Sequence, residues 1–357
     1  MPARARKRDD AEPDGSEHRP AEQAEALAAE GRFAEAIDLL TRANGRVRDP
    51  AVEERLVQLR LDAFTATEPR QASTTTADAD DPFPGETTPP EVAARDLTPE
   101  LLRSGIHHHG CLLVRGLVTG ARIAELVHDI DRAFAGYDAH AGGASTAETT
   151  PWFLPLETAS GPILRRWARE GGAILAVDSP RTLFDVIQMF EEAGIRQLAT
   201  AYLGEPPAML ARKCTLRRVA ASRSDPGHAQ GSGEVGWHQD GAFMGVDIRT
   251  LDVWLALSAC GRDAAGLDIV ARRLDGIVET GTNGARYDWT VAPDVAERTA
   301  AGRIVSPLFE PGDALLFDHL LLHRTGLHPG MVRDRYAIEA WFAASSSYPP
   351  DQLPVAY

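Results

Sequence analysis

The chain has 357 residues, 43% of them hydrophobic, and a formal net charge of −15, a size that suits one large domain with a small companion. The acidic balance weighs against nucleic acid and anionic membranes as partners, since both call for a basic surface. Three distant cysteines, Cys111, Cys214 and Cys260, frame neither a disulfide set nor a zinc site; no run nears the roughly 20 apolar residues of a membrane span, and the expected home is a reducing cytoplasm.

Residues 1–19 are polar and charged and read as a disordered tail. Arg4, Arg6, Lys7 and Arg8 precede no apolar run, so they do not read as a signal peptide. Over 20–66 the pattern is helical. Phe33, Ala36, Ile37 and Leu40 recur at helical spacing, and Val52, Leu56, Leu59 and Ala63 repeat it. The run 30–37, with Gly31 near its start, resembles the turn of a tetratricopeptide repeat. One such repeat falls short of the three or so units that bury a continuous core. The segment is therefore expected as a short helical appendage, docked or used to associate with a protein partner or a second copy. Residues 67–96, rich in Thr, Asp, Ala and Pro, have linker composition.

The main domain is expected over 97–357. Thr98 can cap a helix with Pro99 at its first position. Residues 111–114 read as a strand between glycines, 122–134 as an amphipathic helix, and 137–158 as a long mobile loop. Ser179-Pro180 opens a helix that Gly194 closes, and another runs to Leu203. Beyond 208, short apolar runs alternate with Gly and Pro turns, at 250–257, 266–270, 314–317 and 336–342. Helices first and many short strands afterwards predict an α+β domain, with helices around a barrel-like β-sandwich.

Within that second half stands Trp237-His238-Gln239-Asp240-Gly241. On a strand, His238 and Asp240 would share a face, with Gln239 turned away. A second imidazole would complete a two-His-one-carboxylate face, which suits Fe(II) and leaves positions open for O2 and organic ligands. The stretch 317–326 offers two such imidazoles, His319 and His323.

Four further pieces stand in a telling order: Leu251-Asp252-Val253-Trp254-Leu255-Ala256-Leu257; Pro311-Gly312-Asp313-Ala314-Leu315-Leu316-Phe317-Asp318; His323-Arg324-Thr325-Gly326; and Arg335-Tyr336-Ala337-Ile338. With the His-Gln-Asp piece they make the region from about 97 to 357 resemble the phytanoyl-CoA dioxygenase family of Fe(II)/2-oxoglutarate oxygenases. The resemblance implies a double-stranded β-helix, a jelly-roll or cupin-like core flanked by helices. It implies His238, Asp240 and His323 as iron ligands, and so selects His323 over His319. It implies Arg335 as partner of the distal carboxylate of 2-oxoglutarate, a task suited to a planar guanidinium fork. Thr325 and Trp254 match a hydroxyl and an aromatic beside the cosubstrate.

The implied activity is a 2-oxoglutarate-dependent dioxygenase that hydroxylates a small organic molecule and releases succinate and CO2. Asp240 disfavours halogenation, because halogenases of this type leave the carboxylate position open. The alternative is a non-catalytic metal-binding sensor or adaptor on the same fold. Arg335, Ala337, Glu339 and Trp341 should share one strand face. His107, His108, His109, His228 and His328 read as capping, surface or turn residues, and Arg217, Arg218, Arg272 and Arg273 as structural. After residues 266–270 many members carry a Pro-Gly-Ser-His turn; here Ala271-Arg272-Arg273-Leu274-Asp275 stands instead. No CoA ester is therefore assigned as substrate. Segments 137–175 and 272–300 should line the substrate entrance.

Overall fold

The computed structural model describes residues 19–67, 80–158, 161–221, 235–282 and 284–357. Residues 1–18 of the expected tail, 68–79 of the expected linker and His228 lie outside the described residues. The chain divides into two units, Met1–Ala66 and Thr67–Tyr357.

The first unit is three helices, α1 (Arg19–Ala29), α2 (Phe33–Arg46) and α3 (Pro50–Thr65). The helical face read from the sequence is the one that packs: Ala36, Ile37 and Leu40 are buried, as are Leu56 and Leu59. Gly31 turns the chain between α1 and α2 at φ +77°, a conformation that costs a side-chain-bearing residue about 1–2 kcal/mol. Asp49 caps α3 by accepting from the Ala51 amide, and buried Asn44 of α2 donates to Glu53 of α3 at 3.3 Å.

The second unit begins earlier than the linker composition suggests. Strand β1 (Glu91–Ala93) pairs in parallel with β2 (Cys111–Arg115), setting Val92 beside Val114. Arg115 clamps Glu91 with two charge-assisted bonds of 2.9 and 2.7 Å. Between them lies the short helix α4 (Pro99–Ser104), capped by the Thr98 hydroxyl as the sequence predicts. Helix α5 (Gly120–Ala141) runs well past residue 134 and takes the start of the expected loop. Gly136 sits inside it because Phe153 presses there: a Cβ would lie 2.9 Å from the Phe153 Cβ. Tertiary packing has overridden the weak helix propensity of glycine. Then come α6 (Pro162–Glu170), β3 (Ala173–Leu175), α7 (Pro180–Glu192) and α8 (Ile195–Leu203).

Strands dominate the rest: β4 (Pro207–Leu210), β5 (Thr215–Val219), β6 (Thr250–Ala256), β7 (Gly266–Val270), β8 (Ile304–Val305), β9 (Ala314–Phe317), β10 (His323–Gly326), β11 (Arg335–Ala344) and β12 (Pro354–Ala356), with α9 (Gly241–Met244) and α10 (Pro293–Ala300) between them. The major sheet runs β1-β2-β9-β6-β11-β4-β12, with β5 joining β11 to β3; the minor sheet is β10-β7-β8. The two sheets form the double-stranded β-helix core of an α+β fold.

Strand β11 is the spine. One edge pairs β6 from Ala337 to Ala343, and the other pairs β5 and then β4. Its alternation has a clear outcome. Tyr336 points outward and donates to Asp131 of α5 at 2.8 Å, and Phe342 meets Phe190 of α7 edge-on. Arg335 and Glu339 face the interior cavity, while Trp341 packs on Phe317 in the core. The Pro311-Gly312-Asp313 turn launches β9. Gly312 has φ +97°, and a Cβ there would lie 2.1 Å from the Val118 carbonyl oxygen. Asp313 accepts from the Gly116 and Glu310 amides. No helix among the described residues is long and apolar enough to cross a membrane.

Candidate metal centre and cosubstrate cavity

His238 and His323 meet across an antiparallel bridge. Each backbone amide donates to the other residue's carbonyl at 3.0 Å. The motif is therefore anchored by main chain to the first residue of β10. The expectation of a strand through His238 and Asp240 is corrected here. Only His238 makes a β-bridge; Asp240 has φ −63° and ψ −28° and opens the helical turn α9. The chain bends because the Gly241 amide donates to the His319 carbonyl, and the Phe243 and Met244 amides return to Asp240. Gly241 permits the bend: a Cβ there would lie 2.8 Å from the His319 ring and 2.9 Å from Ile277.

Gln239 turns away from the site and is fully buried. Its amide nitrogen donates to the carbonyls of Gly276 and Leu320, and its oxygen accepts from the Val278 amide. This residue ties Gly276 and Val278 to the motif.

The candidate ligand atoms of His238, Asp240 and His323 lie within 4.8 Å of one another. Each histidine has its Nδ1 about 3 Å from a carbonyl, that of Gly236 for His238 and of Leu321 for His323. A carbonyl only accepts, so each Nδ1 carries the proton and each Nε2 keeps a lone pair. Burial pushes His238 down to about 4, leaving it neutral near pH 7. Burial alone would raise Asp240, but the Lys213 ammonium outweighs it and holds the carboxyl below its usual value. Its Oδ1 is 2.7 Å from Lys213 Nζ. Its Oδ2 has no hydrogen-bond partner among the described residues and lies 3.7 Å from His323 Nε2. Two imidazole nitrogens and one such carboxylate oxygen fit a first-row divalent ion such as Fe(II).

The remaining expected site residues line the cavity that His238 and His323 line, a space of about 380 Å³. Arg335 is fully buried at the head of β11. It donates to the Gly266 carbonyl at 3.2 Å and lies 5.5 Å from the Trp254 ring centre. Thr325 of β10 and Trp254 of β6 stand in the same wall. Arg333, two residues from Arg335, is exposed and pairs with Asp263 at 3.8 Å.

His319 is engaged elsewhere. Its Nδ1 is 3.0 Å from the Thr250 hydroxyl and its Nε2 3.3 Å from the Val246 carbonyl. His109 pairs with Asp81 at 2.9 Å, and His328 lies 3.6 Å from Asp268. Arg218 pairs with Asp131 and Asp334. Arg273 pairs with Asp318 at 2.6 Å, which gives the departed turn after β7 a structural anchor. Arg217 lines the cavity and pairs with Glu339 at 2.7 Å. The three cysteines are free and buried.

Sequence reasoning passed over four groups. Lys213 lies in the turn between β4 and β5 and joins Asp240 to Glu339. Glu339 was placed on the right face of β11 but without a role. Burial alone would raise it; Lys213 and Arg217 hold it well below the usual carboxylate range. Asp252 of β6 lines the cavity, and neither of its oxygens has a hydrogen-bond partner among the described residues. Burial, Glu339 and Asp240 hold it well above its ordinary value. Finally, Trp289 sits edge-on to His238 at 5.8 Å, against Phe243 and stacked on Tyr287. A signal existed for Lys213 alone: it is one of two lysines among 37 basic residues.

Comparison with known proteins places this geometry. No curated protein matches the chain. Among solved structures, AviO1 from Streptomyces viridochromogenes Tue57 shares 18% identity over 71% of this chain and 98% of its own, at a TM-score of 0.43. The epimerase SnoN, in complex with Fe3+, alpha ketoglutarate and nogalamycin RO, shares 14% over 71% and 86%, at 0.45. EctD from S. alaskensis, with 2-oxoglutarate and 5-hydroxyectoine, shares 18% over 78% and 83%, at 0.46. Likeness this distant carries nothing about reaction or substrate. The family model described as phytanoyl-CoA dioxygenase (PhyH) matches residues 106–328, well over half of the chain and inclusive of His238, Asp240 and His323. The chain belongs to the phytanoyl-CoA dioxygenase family.

Proposed function

We propose that this protein is an Fe(II)- and 2-oxoglutarate-dependent dioxygenase that hydroxylates a small organic molecule. The observation that carries the reading is the convergence of His238, Asp240 and His323 on one another, beside a cavity that the two histidines and Arg335 line. Fe(II) with 2-oxoglutarate and O2 supplies the oxidising chemistry, with succinate and CO2 as by-products. The chain's own residues bind, orient and shield.

His238 and His323 present their Nε2 atoms, and Asp240 presents one free oxygen. Arg335 is the proposed partner of the distal carboxylate of the cosubstrate. Its burial against the Trp254 face excludes water there, which strengthens a charge-assisted pair. Thr325 adds a hydroxyl to that end. Asp240 fills the carboxylate position, so a halide has no place of its own, and hydroxylation is favoured over halogenation.

The substrate half of the cavity is built differently. Leu164 and Trp167 of α6 and Trp289 of the 272–300 canopy form its apolar side. Trp167 is 40% exposed, as expected of a residue at an entrance. Residues 20–66 are proposed as an accessory helical unit apart from the reaction.

The test is succinate formation from 2-oxoglutarate by iron-loaded protein under air, coupled to untargeted metabolite profiling for a product one oxygen heavier. The expected result is Fe(II)-dependent succinate that vanishes in His238→Ala. Tight metal binding without succinate across a broad substrate panel would favour the sensor or adaptor reading.

A further inference from the structure

We propose that Lys213 is the positioning residue of the metal centre, holding one oxygen of Asp240 so that Asp240 meets the ion through the other alone. The inference rests on the metal reading above. Lys213 Nζ is 2.7 Å from Asp240 Oδ1, and the unpartnered oxygen is Oδ2, the one nearer His323. The two oxygens thus have separate assignments before any ion arrives.

Lys213 is itself held in place. Its Nζ lies 3.2 Å from Glu339 Oε1, and Glu339 Oε2 accepts from Arg217 at 2.7 Å. Trp341 Nε1 donates to Glu339 Oε1 at 3.2 Å. The ring centres of Phe243 and Trp341 lie 5.2 and 5.6 Å from the ammonium, within cation–π range. The result is a chain of contacts, Arg217–Glu339–Lys213–Asp240, running from β5 through β11 to the motif.

The residue type fits the task. An ammonium is a compact charge with three donors and can serve two carboxylates at once. A guanidinium prefers both oxygens of one carboxylate, and would claim the oxygen the ion needs. In a chain whose basic residues are otherwise arginine but for Lys7, lysine stands at the one position where a fork would interfere. A carboxylate free at both oxygens can occupy two positions on an ion. Held at one, it would take a single position and leave more of the ion open to the cosubstrate and O2.

The test uses the full chain and compares wild type, His238→Ala, Lys213→Met and Glu339→Gln. Mn(II) affinity is measured by calorimetry, and the visible absorption of Co(II)-substituted protein reports coordination. Lys213→Met is expected to bind Mn(II) about tenfold more weakly, the range for partners that orient a ligand, with an altered Co(II) spectrum. Glu339→Gln, which leaves Lys213 in place but less firmly held, is expected to weaken binding in the same direction by a smaller factor. It decides the matter if Lys213→Met fails to fold. Affinities within twofold of wild type and unchanged spectra would overturn the proposal. So would weakened 2-oxoglutarate binding with metal affinity unchanged, since Lys213 would then serve the cosubstrate. A wild-type chain that binds Mn(II) no better than His238→Ala overturns the metal reading itself, and this inference with it.

Discussion

The cavity has two walls of different construction. The wall that holds His238, His323 and Arg335 is made of paired backbone segments. His238 and His323 exchange backbone bonds, and Arg335 begins a strand paired with both β5 and, two residues on, β6. Another part of the lining comes from Leu164 and Trp167 of α6 and from Trp289, which is held by ring contacts, while the Gln239 clamp ties down Gly276 and Val278 nearby in sequence. Residues on a rigid scaffold fix a reaction, and residues on connecting segments vary its substrate. The contrast explains why the chemistry of this protein is readable and its substrate is not.

The contrast can be broken first at the ligands. His238→Ala removes a donor and should abolish metal binding and succinate production together, the largest effect expected; retained turnover would show that the strand wall does not hold the reaction. Next is Arg335→Met. Losing a charge-assisted pair with a carboxylate is worth about 1.5–3 kcal/mol, so the KM for 2-oxoglutarate should rise roughly 10- to 100-fold while Mn(II) affinity stays put. An unchanged KM would remove Arg335 from the cosubstrate site.

A substitution in the canopy should read out differently. Trp289→Ala opens the apolar side beside His238. It should cut product formation about tenfold, in line with the loss of a large aromatic contact at a binding site, yet leave substrate-independent succinate release near the wild-type rate. Equal loss of both would place Trp289 with the metal wall rather than with the substrate wall.

Much of the fold was legible because it is written in local periodicity. The buried face of α2, the Thr98 cap and strands β6, β7, β9 and β11 follow from residue spacing. The candidate site was legible as far as motif residues carry it, namely His238, Asp240, His323 and Arg335. What escaped depends on contacts between distant segments. The bend at Asp240 is set by the His319 carbonyl, 79 residues further on, and so reads as a strand in isolation. The continuation of α5 through Gly136 depends on Phe153. Strand β1 emerges from linker-like composition because Arg115 and β2 hold it. Asp252 looks like one polar residue in an apolar run, and only its register beside Phe317 and Trp341 buries it.

Asp252 gives a stability rather than an activity signal. Burial, Glu339 and Asp240 raise its carboxyl, so the folded metal-free protein keeps the proton that the unfolded chain releases above about pH 4. Stability is fully retained below that pH and is lost as pH rises toward the folded value. Asp252→Asn removes the penalty. It should leave stability at pH 4 nearly unchanged and raise it at pH 7, by up to about 1.4 kcal/mol for each pH unit between. Denaturant midpoints at the two pH values check this; an equal loss at both would mean that Asp252 is ionised and paired in the fold.

The central claim is that one strand wall holds both an iron and its cosubstrate. Anaerobic titration of Fe(II)-loaded protein with 2-oxoglutarate tests it most directly, through the visible metal-to-ligand absorption of the chelate. The account predicts a saturable band with one cosubstrate per chain, absent in His238→Ala and displaced to higher concentration in Arg335→Met. Bound Fe(II) with no band at any 2-oxoglutarate concentration would contradict it.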